Sequence, residues 1–233
     1  MSITAAQKHS IDACLCLNET GKLPSTASYS TITVLTDGAG FSYGKHQSTD
    51  KSGSLDAIVT RYLDLKGSLA TQIFPYLDEL ASNASTKLDP KNLPQWAKDF
   101  EALLKQAGQD PIMQAAQDQI FDENYWTPAV NKCSAMKLVT GLAHLLVYDT
   151  CIQSGPGRVD SLRQKFTASP PSGGGEEHEW CKQFNAARRA FLLGNSNPLV
   201  QKSVYRVEAL QGLIDAGNWE LVTPFKFRGQ TVA

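Results

Sequence analysis

Two carboxylates stand where their spacing could support acid–base chemistry. Glu19 falls at the end of the first predicted helix, and Asp37 follows eighteen residues later at the mouth of a predicted β-hairpin. Hydrolysis of a glycosidic bond needs one protonated carboxyl group for the leaving oxygen and one carboxylate that activates water or attacks carbon. The negative end of a helix dipole disfavours an ionised Glu19, which suits a general acid. Exposed backbone N–H groups near Gly38 and Gly40 can keep Asp37 ionised, which suits a general base.

Each carboxylate also has a simpler interpretation. A Glu at a helix end is usually a solvated surface group, and Asp-Gly is a common turn sequence. Asp50 and Asp56 are reserve candidates, although neither lies in a glycine-rich turn. The spacing alone therefore leaves both a catalytic and a purely structural interpretation open.

Helical periodicity dominates the elements that must position these residues. A first helix is predicted over about 4–18, where Thr4 and Gln7 form a capping-box pair. Alternating β-branched residues over 29–35 and the turn-rich segment that follows predict a small β-hairpin lobe over 29–49, the one strong β signal in the chain. Further helices are predicted near 54–63, 69–81, 94–106, 111–125, 128–152, 176–193 and 204–216.

These elements indicate a mainly α (α+β) fold in which a helical body and a small β-hairpin enclose a cleft. The predicted helix over 128–152 is the longest and most apolar, so we expect it to form the buried centre. The segment 169–175 (SPPSGGG) reads as a loop rather than a boundary. We therefore expect a single domain spanning 1–233.

Composition excludes several classes of function. Twenty-two Lys and Arg against 23 Asp and Glu give a net charge of −1, which creates no field to attract nucleic acid or an anionic membrane. No stretch approaches the roughly 18 consecutive apolar residues of a membrane helix. The five Cys predict reduced thiols rather than a disulfide framework. No His/Cys spacing fits a metal site, so we expect no metal. We also expect no cofactor and a monomeric protein.

The first twenty residues have neither the basic region nor the continuous apolar region of a secretory signal. We therefore expect synthesis in the cytoplasm. Action on a cell wall, in the periplasm or outside the cell would then need another delivery route, unless this chain is already the mature form.

The string TDGAGFSYG at 36–44, with Glu19 eighteen residues before Asp37, resembles the catalytic segment of glycoside hydrolase family 46. These chitosanases of the lysozyme superfamily share the pattern Asp-Gly-x-Gly-aromatic-hydroxyl after a Glu at the end of the first helix. The similarity continues in order along nearly the whole chain. It includes 55–62, 110–130, Tyr148-Asp149, 155–157 (GPG), Glu177, Trp180, Phe184, Arg188 and Arg206-Val207.

This resemblance implies a lysozyme-like, chitosanase-like domain that inverts the anomeric carbon, with Glu19 as general acid and Asp37 as general base. Ser42 takes the place of a Thr that helps to position the attacking water. A buried carboxylate–arginine network behind the acid is implied for Asp149, Arg188 and Arg206. Such arginines would favour an ionised Glu19, against the effect of the helix end. Inversion leaves room for a water, so the carboxyl groups should be at least ~6.5–9.5 Å apart.

The substrate-binding residues depart from the family pattern. Ser54 stands where the family has an Asp that binds a substrate amine, and Ala39 replaces an Arg. The net charge also lacks the acidic excess expected of a protein that binds polycationic chitosan. The positions expected to bind substrate are Gly38, Gly40, Tyr43, Lys45, His46 and Ser54, although His46 could simply be exposed.

These departures favour an N-acetylated or anionic polysaccharide over chitosan. We therefore expect an inverting endo-β-1,4-glycosidase that acts on peptidoglycan, such as a phage lysin or a delivered antibacterial effector, for which an inhibitor or immunity protein would be a partner. One alternative is a chitosanase with the same catalytic residues. Another is a non-catalytic glycan-binding module on the same fold.

Overall fold

A computed structural model describes residues 3–24 and 29–233 of the chain. Their contacts define two compact units. The terminal unit comprises the chain up to Pro24 and from Asn124 onwards, and the middle unit comprises the residues between them. The expectation of a single domain stays a prediction.

The described residues are mainly helical, as predicted, and the strands are short. The helices are α1 (Ala5–Thr20), α2 (Ser54–Asp64), α3 (Ala70–Ile73), α4 (Leu77–Ala81), α5 (Gln95–Ala107), α6 (Pro111–Phe121), α7 (Thr127–Met136), α8 (Gly141–Ser154), α9 (Gly157–Arg163), α10 (Glu177–Leu193), α11 (Pro198–Lys202) and α12 (Tyr205–Asp215). The strands are β1 (Ile32–Val34), β2 (Phe41–Tyr43), β3 (Ser48–Thr49), β4 (Phe225–Phe227) and β5 (Gln230–Val232).

Helix α1 follows the sequence prediction closely. Thr4 caps its first turn, and the side chain of Gln7 accepts from the Thr4 N–H, which completes the capping box. Gly21, at φ 72°, ends the helix by donating its N–H to the Leu17 carbonyl at 3.0 Å. The helix therefore ends immediately after Glu19 and Thr20.

The prediction of one continuous helix over 128–152 is wrong, because two helices occupy this segment. Lys137 adopts a left-handed conformation at φ 56° and ends α7. The Thr140 hydroxyl then caps α8 by accepting from the Ala143 N–H at 3.2 Å. The carboxylate of Glu177 accepts from the backbone N–H groups of Val139 and Thr140, which stabilises the break.

Helix α8 forms the buried centre of the terminal unit, as its apolar composition predicts. Every residue over 141–151 is buried, including Asp149. The helix packs against α1, α7, α9, α10 and α12. A carboxylate in this position needs charged partners, because an unpaired charge is strongly disfavoured inside a protein.

The middle unit contains a three-stranded antiparallel sheet, in the order β1–β2–β3, where the sequence predicts a hairpin. In the register, Ser42 of β2 lies opposite Thr33 on one side and Thr49 on the other. Phe41 and Tyr43 are fully buried and join the core formed by α2, α5 and α6. The sheet thus anchors the loop 37–40 to the helices of its own unit.

Two local predictions differ from the structure. The segment 69–81 is not one helix but α3, a 3₁₀ turn at Phe74–Tyr76 and α4, because Pro75 interrupts the α-helical hydrogen bonds. A second antiparallel hairpin, β4–β5, contradicts the prediction of a single β region. Arg228 and Gly229 form its turn at φ values of 48° and 78°.

We expect Thr140→Ala to lower the free energy of unfolding by about 1–2 kcal/mol, since α8 would lose its N-cap. Urea denaturation of both proteins measures the difference. Thr60→Ala, at an exposed position within α2, is the control and should change stability by no more than about 0.5 kcal/mol. Equal effects of the two substitutions would contradict the role assigned to Thr140.

Candidate active site

Glu19 lies in the last turn of α1, and its side chain is 41% exposed. Oε1 accepts from Nη1 of Arg206 at 2.5 Å. Arg206 belongs to the first turn of α12, and its side chain is only 5% exposed. The carboxyl group therefore combines access to solvent with a nearly buried charged partner, an arrangement that orients it.

Arg206 is itself anchored on Asp149. Its Nε donates to Oδ2 at 3.2 Å and its Nη2 to Oδ1 at 2.6 Å, so one guanidinium bridges the buried carboxylate and Glu19. Such a two-point contact fixes the plane of an arginine more tightly than a single bond does. The position of the Arg206 side chain, and of the hydrogen bond it offers to Glu19, is thus set from the core.

Asp149 has two further partners. Nη2 of Arg188 lies 2.6 Å from Oδ2, and Nδ2 of Asn18 donates to Oδ1 at 3.0 Å. Burial alone would raise the pKa of Asp149, but the charges of Arg188 and Arg206 hold it well below its usual range. The network implied for these residues is therefore assembled in the terminal unit, with Asp149 ionised.

Arg228 is a site-supporting residue that the sequence reasoning missed. From the β4–β5 turn, its Nη1 donates to the carbonyls of Leu17 (2.5 Å) and Asn18 (3.4 Å) in the last turn of α1. Its guanidinium also stacks 4.1 Å from the ring of Tyr205, whose hydroxyl donates to the Asn18 carbonyl at 2.9 Å. The only sequence signal was a basic residue before Gly229, which gives no indication of contact with α1.

Two arginines lie at the end of α1. Nη1 of Arg228 donates to the Leu17 carbonyl. The Arg206 guanidinium contacts the Glu19 carboxylate directly.

Asp37 lies in the middle unit, in the exposed loop that joins β1 and β2. Its Oδ1 accepts from the Ala39 N–H at 3.0 Å, so a backbone donor holds the carboxylate as expected. Gly38 and Gly40 both adopt φ 77°, which a side chain would strain. Gly40 is buried, and a Cβ there would collide with Ser85. Gly40 therefore allows close packing at this position, and its assignment to substrate binding stays a prediction.

A chain of buried hydrogen bonds supports the loop 37–40. The Phe41 N–H donates to Oγ of Ser85 at 3.0 Å, and that hydroxyl donates to Oδ2 of Asp50 at 2.5 Å. Burial raises the pKa of Asp50 although the bonds from Ser85 lower it. Asp50, a reserve catalytic candidate in the sequence, is therefore a buried support of the loop.

Ser42 is 1% exposed, and its hydroxyl donates to Oε1 of Gln47 at 3.0 Å. Gln47 is held in turn by a 3.1 Å bond from its Nε2 to the Gly44 carbonyl. The role of Ser42 in positioning water stays a prediction. A water bound to Ser42 would have to displace the Gln47 side chain or bind beside it.

Three residues expected to bind substrate make contacts within the middle unit. Tyr43 is fully buried and donates its hydroxyl to the Leu104 carbonyl at 2.7 Å. Nζ of Lys45 lies 3.2 Å and Nε2 of His46 lies 3.6 Å from Oδ1 of Asp118 on α6. His46 also stacks on Phe121 at 3.5 Å between ring centroids. Lys45 and His46 are partly exposed, and the assignment of the three residues to substrate binding stays a prediction.

Asp118 explains why the basic pair turns towards α6. Burial acts to raise its pKa, but hydrogen bonds from His46 and Tyr29, together with the Lys45 charge, lower it to about 2. The ionised carboxylate neutralises the hairpin locally.

Ser54 is the first residue of α2 and is partly exposed. Its hydroxyl accepts from the Thr49 N–H at 3.0 Å and lies 2.7 Å from Oγ of Ser52. The hydroxyl groups of Thr49, Ser52 and Ser54 therefore form one cluster, with Asp56 in the same first helical turn. This group remains a candidate contact for substrate.

Glu19 lies in the terminal unit and Asp37 in the middle unit. No group of three or more His, Cys, Asp or Glu among residues 3–24 and 29–233 could hold a metal ion. Within the same residues, no helix has the length and apolar character needed to cross a membrane.

Comparison with known proteins identifies the family. The model of glycosyl hydrolase family 46 matches residues 14–225, most of the chain. The chain belongs to this family. It is therefore a glycoside hydrolase, and the predicted resemblance is confirmed.

Individual family 46 relatives agree. A chitosanase of Bacillus subtilis (strain 168) is 29% identical over 212 residues, covering 86% of this chain and 74% of its own. A chitosanase of Nocardioides sp. (strain N106) is 27% identical over 218 residues, which cover 90% of this chain and 74% of the Nocardioides protein. The solved complex of the Gynuella sunshinyii family 46 chitosanase with chitotetraose has a TM-score of 0.80 at 25% identity, covering 99% and 98% of the two chains. The predicted fold class is confirmed.

We expect Asp149→Asn to destabilise the protein by about 3–5 kcal/mol at neutral pH, because it leaves buried Arg188 without a counter-charge and Arg206 with Glu19 alone. The folded pKa of Asp149 is lower than the unfolded value of about 3.9. Its contribution is therefore fully present above about pH 4 and is lost as the pH falls from there towards the lower folded pKa. Urea denaturation should show a constant stability gap over about pH 5–7 that narrows below about pH 4.

Asp160→Asn is the matched control, since Asp160 pairs with Lys132 at 2.7 Å but is 68% exposed. It should cost no more than about 1 kcal/mol. A cost for Asp149→Asn as small as this would show that the buried network does not stabilise the fold.

Proposed function

We propose that this family 46 glycosidase hydrolyses chitosan, a β-1,4-linked glucosamine polymer, as an endo-acting enzyme that inverts the anomeric carbon. The observation that carries this proposal is the contact of the partly exposed Glu19 with Arg206, itself anchored on buried Asp149. The relatives named above are chitosanases, and one was solved with chitotetraose. They support the chitosan alternative better than the expected action on peptidoglycan.

The proposed reaction is a single displacement. Protonated Glu19 donates its proton to the glycosidic oxygen as the bond from that oxygen to the anomeric carbon breaks. Asp37 accepts a proton from water as the water oxygen bonds to the opposite face of the same carbon. A proton from solvent then returns to Glu19, and Asp37 releases its own. The two carboxyl groups must leave room for a water, ~6.5–9.5 Å or more.

The surroundings of the two carboxylates suit these roles. Arg206 fixes the carboxyl group of Glu19 and balances its negative charge after proton donation. Asp37 is exposed and oriented by the Ala39 N–H, so it can reach both a water and a substrate. General acid and base catalysis of this kind contributes about 10²–10⁴-fold each to a rate.

Glu19→Gln should reduce the release of reducing ends from chitosan by at least about 10²-fold, because the amide cannot donate the proton. Glu208→Gln is the matched control: Glu208 also pairs with an arginine, Arg189 at 3.4 Å, but that pair is half exposed. The control should retain activity within about twofold. If Glu19→Gln retained activity within tenfold of the wild type, Glu19 would not be the general acid.

A second candidate substrate is an N-acetylated glycan such as peptidoglycan. It is favoured by one observation, the uncharged cluster of Thr49, Ser52 and Ser54 at the start of α2. The resemblance to family 46 implies an amine-binding Asp where this chain has Ser54. Asp56 supplies a carboxylate two residues away, in the same helical turn.

Assays of reducing ends on purified chitosan and on peptidoglycan sacculi separate the two substrates. We expect release from chitosan and no release from sacculi. Ser54→Asp should raise kcat/KM on chitosan about tenfold, since a charged hydrogen bond to an amine contributes about 1.5–3 kcal/mol. Ser52→Asp is the control and should give a smaller increase, because Ser52 precedes the helix. Release from sacculi alone would overturn the substrate proposal.

A further inference from the structure

A pocket of about 450 Å³ lies in the terminal unit, where α8 and α10 end and α9 and α11 begin. The proposed mechanism uses only one residue of its lining, Arg206. The polar and basic part of the lining is Gln153, Arg158, Asn195 and Arg206, and Phe191 and Leu199 contribute apolar walls.

The charges around this pocket do not balance. Arg188 and Arg206 are matched by the carboxylates of Asp149 and Glu19. Arg158 forms no ion pair with any carboxylate of the described residues. Nη1 of its guanidinium donates to the Ser161 hydroxyl at 3.3 Å. One positive charge thus faces the pocket without a counter-charge from the protein.

Buried guanidinium N–H groups in this region also lack acceptors. Within the described part of the chain, Nε of Arg158 and both Nε and Nη1 of Arg188 are buried without a hydrogen-bond partner. Arg188 is linked to the pocket because its Nη2 donates to Gln153, a lining residue. Buried donors are nearly always satisfied in folded proteins, by protein, water or a bound ion. Of these donors, the Nε–H of Arg158 belongs to a lining residue, and an anionic acceptor would satisfy it and balance its charge.

The conformation of the Arg158 side chain is already restricted without a ligand. Its guanidinium stacks 4.1 Å from the ring of Phe191, which limits the conformations of an otherwise flexible side chain. A stacked guanidinium keeps its N–H groups in the ring plane, where they match the oxygens of a carboxylate or phosphate. Little further ordering would be needed on binding.

We propose that this pocket binds a small oxyanion, a carboxylate or phosphate group, with Arg158 as its principal ligand. The apolar wall of Phe191 and Leu199 can accommodate a short hydrocarbon part, so an organic acid fits as well as an inorganic ion. Arg206 both lines the pocket and contacts Glu19, so a single arginine side chain connects the proposed anion site with the proposed acid.

Titrations with sodium phosphate and with sodium butyrate, at constant ionic strength, test the proposal and distinguish the two sources of oxyanion. In ¹H–¹⁵N spectra of the arginine side chains, the Nε–H signal of Arg158 should shift saturably with at least one of them. Arg163 provides an internal control. It also stacks on a ring, that of Phe166 at 5.0 Å, but does not line the pocket.

Calorimetry on variants then tests the assignment to Arg158. Arg158→Gln should weaken binding at least tenfold and Arg163→Gln less than twofold. Arg158→Lys keeps the positive charge but loses the planar guanidinium with its paired N–H donors, so we expect an intermediate affinity. This variant provides the test if Arg158→Gln does not fold. Shifts that never saturate with either anion, or equal affinity in wild type and Arg158 variants, would overturn the proposal.

Discussion

The pairing of buried Asp149 with two arginines is the constraint on which the terminal unit depends. A carboxylate with no exposed surface is tolerated only when its charge is matched and its oxygens are hydrogen-bonded. Arg188 from α10, Arg206 from α12 and Asn18 from α1 meet these needs together. Four helices are thereby joined at one point, and Arg206 extends from that point to Glu19. The same interaction organises the core and orients the proposed acid.

The proposed base is supported in a different way. Asp37 lies in an exposed loop, and its carboxylate accepts from the Ala39 N–H. Buried Ser85 and Asp50 hold the end of this loop through the Phe41 N–H. A neutral backbone donor takes the place of an arginine here, and no ion pair of Asp37 is found among the described residues. A group held by a buried cation and a group held by backbone donors meet the requirement for two carboxyls in different environments.

Local signals predicted much of this structure. Capping by Thr4, the stop at Gly21 and the apolar character of α8 are properties of neighbouring residues, and they appear as predicted. The break at Lys137 did not, because a lysine in the left-handed conformation carries no local sequence signal. The β4–β5 hairpin was missed since strands of three residues are too short to show a periodicity.

The site was less predictable because its contacts are distant in sequence. Lys45 and His46 contact Asp118, which is more than 70 residues away, and no local pattern predicts that contact. Arg228 supports the end of α1 across some 210 residues. Asp149, Arg188 and Arg206 were predicted from the family resemblance rather than from periodicity or spacing. Long-range charge pairs of this kind leave no signal in the local sequence.

The most direct test of the central claim, that Glu19 and Asp37 act as acid and base in one displacement, is the configuration of the first product. Proton NMR of chitosan hydrolysis, recorded before mutarotation, resolves the α and β signals of the new reducing end. Attack by water on the face opposite the broken β-bond predicts the α-anomer first. An initial β-anomer would require a second displacement and would contradict the account.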